Sequence, residues 1–135
     1  MSYAHFSADC DQHHDLVRDF GGDRPPIVVL CGSTRFFQAF RRENLRLTLA
    51  GTIVLSIGCD TKADEDIAEI QDMEQVKADL DELHKRKIDL ADEVFVLNVG
   101  GYVGESTRSE VEYAEKLGKP VRYLEPVEAE TAGAR

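Results

Sequence analysis

Apolar positions along this chain gather into four short runs, and stretches with helical spacing separate them. Ile27-Val28-Val29-Leu30-Cys31 is continuously apolar, the mark of a strand covered on both faces in a parallel sheet. After Gly32-Ser33-Thr34-Arg35, the positions Phe36, Phe40, Leu47 and Ala50 recur at helical spacing in a basic segment ending at Gly51. Thr52-Ile53-Val54-Leu55-Ser56-Ile57 reads as a second strand. Residues 58–70 are acidic and weakly periodic, a loop in the position of a lid. From Gln71, the residues Met73, Val76, Leu80, Leu83 and Lys87-Ile88 trace a long amphipathic helix. Glu93-Val94-Phe95-Val96-Leu97-Asn98 is the third strand, and Val99-Gly100-Gly101-Tyr102-Val103-Gly104 cannot continue it. A helix then opens at Glu105 and closes at Gly118, and Pro120-Val121-Arg122-Tyr123-Leu124 forms the fourth strand.

Strands alternating with helices predict right-handed crossovers and a mainly parallel sheet covered on both sides. Ligands in such sheets sit outside the carboxyl ends of the strands. Both Gly-containing turns, 32–35 and 100–106, fall at carboxyl ends and so line one rim. Residues 27–125 make the α/β domain. Residues 1–26 are an N-terminal extension, with a short helix over 8–20 capped by Ser7 and a linker at Asp23-Arg24-Pro25-Pro26. Residues 126–135 bury little and read as a tail.

Composition narrows the partners. A chain of 135 residues with 42% hydrophobic and 31% charged residues has the balance of one soluble domain. A formal net charge of −10 and a pI near 4.8 argue against nucleic acid as a partner, because a grip on duplex phosphates needs surplus Lys and Arg. Small anions remain suitable, since a nest of backbone amides works whatever the net charge. Cys10, Cys31 and Cys59 are odd in number without CxxC spacing, which points to reduced thiols and a cytoplasmic location. No apolar run approaches the roughly 18–20 residues of a membrane span. His5, Asp9, Cys10, His13 and His14 fit no metal-ligand template, so neither a metal nor a cofactor is expected.

The rim carries the candidate chemistry. Gly32, Ser33, Thr34 and Arg35 offer open backbone, two hydroxyls and a guanidinium to a phosphate or sugar, although Ser or Thr here is equally an N-cap. Ser106 and Thr107 repeat that device with the same two readings. Glu110, placed on the first turn of its helix, is either an acid complementing the helix dipole or a nucleophilic carboxylate. At its usual pKa of about 4.3 it is ionised at neutral pH. Such a group can meet a developing oxocarbenium carbon and form a covalent sugar intermediate. Glu112 faces away from it, and Glu105 lies in the turn. Asn98 ends its strand beside the same ligand position or caps the turn.

These motifs give the chain a specific likeness. Val29 to Arg35, Asp92 to Val96 and Gly104 to Pro120 together resemble the nucleoside 2-deoxyribosyltransferase superfamily, and within it the N-glycosidases of nucleoside 5′-monophosphates. The likeness spans residues 27–124, with 58–70 poorly matched. It implies a flavodoxin-like, Rossmann-like three-layer α/β sandwich and a homodimer or higher homo-oligomer. It implies Glu110 as nucleophile, with Gly32, Ser33, Thr34, Arg35 and Gly104 against the nucleotide and Ser106 on the 5′-phosphate. Val111-Glu112-Tyr113-Ala114 follows where the family commonly has Gly. His84 stands about where the family has an Asp on the preceding helix, with Asp81 one turn earlier on the same face. On an otherwise polar helix surface, His84 is either a bystander or an imidazole that protonates the departing base or holds a sugar hydroxyl. The 100–104 turn also partly resembles the Gly-rich loop of phosphoribohydrolases that release cytokinin bases.

The expected function is therefore cleavage of the base–sugar bond of a nucleoside or deoxynucleoside 5′-monophosphate, with Glu110, His84 and Asp81 as the catalytic set. A deoxyribosyltransferase, in which a second base resolves the intermediate, remains open. So do a nucleotide-binding or sensing module without turnover and a purely structural partner protein.

Overall fold

The structure, a computed structural model, describes residues 24–57 and 72–127. The expected helix at 8–20, the acidic loop at 58–70 and most of the tail lie outside them. In chain order the described elements are β1 (Ile27–Cys31), α1 (Phe37–Leu49), β2 (Ile53–Leu55), α2 (Met73–Leu90), β3 (Glu93–Val96), α3 (Glu105–Lys116) and β4 (Val121–Tyr123). Single 3₁₀ turns, Thr34–Phe36 and Val99–Gly101, follow β1 and β3.

All four strands are parallel in the order β2-β1-β3-β4. The two central strands are the two most buried, because each is covered above and below. One layer forms where Val28, Leu30, Phe95 and Leu97 meet Ala39, Phe40 and Leu47 of α1. On the opposite face, Val29, Cys31, Val94 and Val96 meet Ile88 and Ala91 at the end of α2 and Val111 and Ala114 of α3. The result is a three-layer, flavodoxin-like α/β sandwich. Among the described residues, no helix is long and apolar enough to cross a membrane.

The expected strands at 52–57, 93–98 and 120–124 shorten to cores of three or four residues. β2 and β4 lie at the edges of the sheet, pair on one side only, and peel away sooner than the apolar pattern suggests.

The larger difference is the facing of α2. Of the apolar positions that traced it, Ile88 is buried, yet Met73 (42%), Leu80 (38%) and Leu83 (51%) are exposed. His84 is the other buried residue of this helix.

The amino end of the sheet is held by Asp92. Its carboxylate accepts two bonds from Arg24 at 2.7 and 2.9 Å and one from the Ile27 N–H at 2.8 Å. The Arg24 bond lowers its pKa to about 2. Lys119 finishes α2 by donating to the carbonyls of Ile88, Asp89 and Ala91. These clasps lie at the end away from the two Gly-containing turns. They fix strand register at the end opposite the carboxyl rim.

Candidate functional site

At its carboxyl end β1 leads to α1 on one face of the sheet, whereas β3 leads to α3 on the other. The crevice between β1 and β3 is thus the point where the winding reverses, the place such sheets bind ligands. The strands are held close there. The Leu97 N–H donates to the Cys31 carbonyl at 2.8 Å, and a Cβ on Gly32 would lie 3.1 Å from the Leu97 carbonyl oxygen. Only glycine gives the turn that approach.

Three side chains from three elements converge behind this crevice: Cys31 at the end of β1, His84 of α2 and Glu110 of α3. All are buried, and their sulfur, nitrogen and oxygen atoms lie within 4.8 Å of one another. His84 Nε2 is 3.0 Å from the Leu30 carbonyl, an acceptor only, so the ring hydrogen sits on Nε2 and is donated there. The same nitrogen is 3.5 Å from Cys31 Sγ.

Burial sets the protonation states. It is the main cause lowering the His84 pKa from 6.5 to about 4, with Lys87 adding repulsion, so the ring is neutral at pH 7. It is also the main cause raising Glu110 from 4.5 to about 7, against a hydrogen bond from Cys31 that lowers it; the charge of Asp81 raises it further. Burial and the neighbouring Glu110 push the Cys31 thiol up, so it stays protonated and donates.

Two expectations change accordingly. Glu110 lies on the second turn of α3, whose N-cap is Gly104, and is only half ionised near neutrality. The first turn is occupied by Glu105, Ser106 and Thr107, and the interior position is what desolvates Glu110. His84 is neither surface-exposed nor titrating near neutrality. Its docking against the end of β1 removes it from water.

Beside Glu110, a polar group joins α2 to the start of α3. Lys77 Nζ donates to Ser106 Oγ at 2.8 Å and to Asp81 Oδ2 at 3.2 Å, and Ser106 Oγ lies 3.4 Å from the same carboxylate oxygen. Among the described residues, neither Ser106, Thr107 nor any other side chain caps the helix. The first-turn amides therefore point outward beside an ammonium and a hydroxyl, an anion-attracting arrangement.

The first turn reaches the second at the rim. The Arg35 guanidinium lies 4.5 Å from the centre of the Tyr102 ring, and Phe36 meets Tyr102 edge-on at 6.0 Å. Ser33 is a cap, its hydroxyl accepting from the Arg35 N–H at 3.2 Å. Thr34 opens the 3₁₀ turn between them. Gly104 carries no Cβ where one would lie 3.2 Å from the Tyr102 hydroxyl. Asn98 is buried, and its carboxamide exchanges two hydrogen bonds with the Glu125 main chain. It ties the segment after β4 to the end of β3 rather than facing the crevice.

Cys31, Lys77 and Tyr102 are the site residues that sequence reasoning missed. For Cys31 the only signal was its place directly before Gly32, at the carboxyl end of an apolar run. Neither a scan of protein-family models nor a search of curated proteins finds a match to this chain.

Proposed function

We propose that this protein is an N-glycosidase that cleaves the base–sugar bond of a nucleoside or deoxynucleoside 5′-monophosphate. The observation that carries the reading is Glu110, a buried carboxylate held by a thiol at the point where the winding reverses, next to an uncapped helix start. The 5′-phosphate takes the first-turn amides of α3, the Ser106 hydroxyl and the Lys77 ammonium. Arg35 and Tyr102 border the base side of the rim, where an aromatic face stacks on a base. Ionised Glu110 attacks the anomeric carbon, the N-glycosidic bond breaks with its electron pair on the base, and the base takes a proton from water; water then adds to the anomeric carbon and releases Glu110 as the carboxylate. Asp81, beside Ser106 and Glu110, faces the same sugar. His84 is a positioning residue: its fixed ring holds the thiol and carboxylate in register.

The protein acts on this reading as a cytoplasmic homodimer. Met73, Val76, Leu80, Leu83, Lys87 and Leu90 follow alternating spacings of three and four along α2, a heptad seam. Four of these six are exposed apolar side chains, and a seam of this kind is complementary to its own copy.

Acid-quenched protein mixed with a panel of nucleoside monophosphates tests the mechanism by intact mass. A sugar-phosphate adduct on the parent that is absent from Glu110→Ala supports it. Parent protein that releases base with no adduct under any quench time contradicts the covalent step.

The slight exposure of Glu110 also favours a second reading, a nucleotide sensor without turnover. That reading predicts ligand-dependent thermal stabilisation and no free base.

A further inference from the structure

The convergence of Cys31, His84 and Glu110 has a chemical meaning independent of nucleotide cleavage. One soft donor, one borderline donor and one hard donor meet in a buried space, each from a different element. Among the described residues, no Lys or Arg forms an ion pair with Glu110. Among them, the buried carboxylate therefore lacks the cationic partner that buried acids usually have.

The spacing suits a particular class of ion. Tetrahedral zinc has bonds of about 2.3 Å to sulfur and about 2.0–2.1 Å to nitrogen, so its sulfur and nitrogen ligands sit about 3.5 Å apart. Cys31 Sγ and His84 Nε2 are 3.5 Å apart. The carboxylate oxygen completes a three-donor set with all separations within 4.8 Å, up to about 1.3 Å wider than a tetrahedral edge, so the donors close onto an ion by side-chain movement of that order. A thiolate in the set selects zinc-class ions over magnesium and calcium, which prefer oxygen alone.

We propose that Cys31 Sγ, His84 Nε2 and the Glu110 carboxylate form a binding site for one zinc-class divalent cation, with the fourth position open. Binding forms one metal–sulfur, one metal–nitrogen and one metal–oxygen bond. The thiol proton, and the carboxyl proton where present, go to solvent. The imidazole hydrogen moves from Nε2 to Nδ1, which gives up the bond to the Leu30 carbonyl. The ion is neither oxidised nor reduced. Occupancy ties up the oxygen lone pair that the proposed glycosidase uses, so on that reading the loaded protein is the inactive form.

Cobalt(II) titration of the full-length, reduced, chelator-stripped protein under anaerobic conditions tests the site. The readout is spectroscopic, so it stands or falls separately from nucleotide cleavage. The expected result is one cobalt per chain, a thiolate-to-cobalt charge-transfer band, and displacement by zinc. A Cys10→Ser/Cys59→Ser double variant keeps Cys31 as its sole thiol and retains the band. Cys31→Ser loses the band, and Glu110→Gln keeps it with affinity at least tenfold weaker. No band in the parent, loss of the band in the double variant, its persistence in Cys31→Ser, or unchanged affinity in Glu110→Gln overturns the proposal.

Discussion

The imidazole of His84 lies 3.5 Å from the Cys31 thiol although 53 residues separate them in sequence. This contact is where α2 docks onto the end of β1. It places a neutral ring, a protonated thiol and a half-ionised carboxylate in one enclosure.

The enclosure gives opposed pH dependences of stability. Glu110 titrates at about 7 in the fold against 4.5 when free, so its contribution is complete below 4.5 and lost as pH rises through 7. His84 titrates at about 4 against 6.5, so its contribution is complete above 6.5 and lost as pH falls through 4. Each is worth about 3 kcal/mol, and between pH 4.5 and 6.5 they largely cancel. In chelator-treated protein, urea unfolding of Glu110→Gln should show stability falling as pH drops from 6.5 to 4. His84→Gln should show the reverse trend, with stability falling as pH rises from 4.5 to 7. Flat profiles in both variants would refute this assignment.

The carboxyl ends of the central strands depend on Gly32. A Cβ there would press on the Leu97 carbonyl at 3.1 Å and on Leu97 Cβ and Phe40 Cζ at 3.4 Å. Gly32→Ala should cost about 1–3 kcal/mol by overpacking, read as a lower urea midpoint with an unchanged slope. A midpoint equal to the parent's would show that the strands yield freely.

The reading of Ser106 and Lys77 as phosphate ligands separates nucleotides from nucleosides. Ser106→Ala and Lys77→Met should raise KM for a nucleoside monophosphate about ten- to hundredfold, as expected for a lost hydrogen bond to a charged group. The matching nucleoside should be cleaved almost as before. Equal losses on both substrates would move the phosphate elsewhere.

The seam along α2 predicts the oligomeric state. A Leu80→Glu/Leu83→Glu variant puts charge on two exposed apolar positions and leaves the buried His84 and Ile88 in place. Sedimentation should show a dimeric parent and a monomeric variant with little change in the unfolding midpoint. An identical sedimentation coefficient for both would remove α2 as the interface.

Much of this fold was legible because its causes are local. The continuous run at Ile27 to Cys31 announces a strand covered on both faces, and the positive φ of Gly51 and Gly118 ends two helices where the pattern predicts. The meeting of both turns at one rim follows from parallel strands alone. Facing was harder to read. The apolar spacing from Met73 to Ile88 looks like a core stripe, but only Ile88 of that stripe is buried, and the sheet is covered by the face that Ile88 shares with His84. Whether Cys31 meets α1 or the α2–α3 layer depends on that packing, and the exposed Leu83 before His84 and the Lys85-Arg86-Lys87 run after it disguise its burial. The pKa values of Glu110 and His84 follow from the same docking, so no local pattern could anticipate them.

The proposed function rests on Glu110 releasing base at this rim. The most direct measurement is free base released from a panel of nucleoside and deoxynucleoside 5′-monophosphates, by parent and by Glu110→Ala, at pH 8 with chelator present. Release should scale with parent protein and fall about a thousandfold or more in the variant. Equal rates in the two proteins, or no release by the parent from any nucleotide, would contradict it.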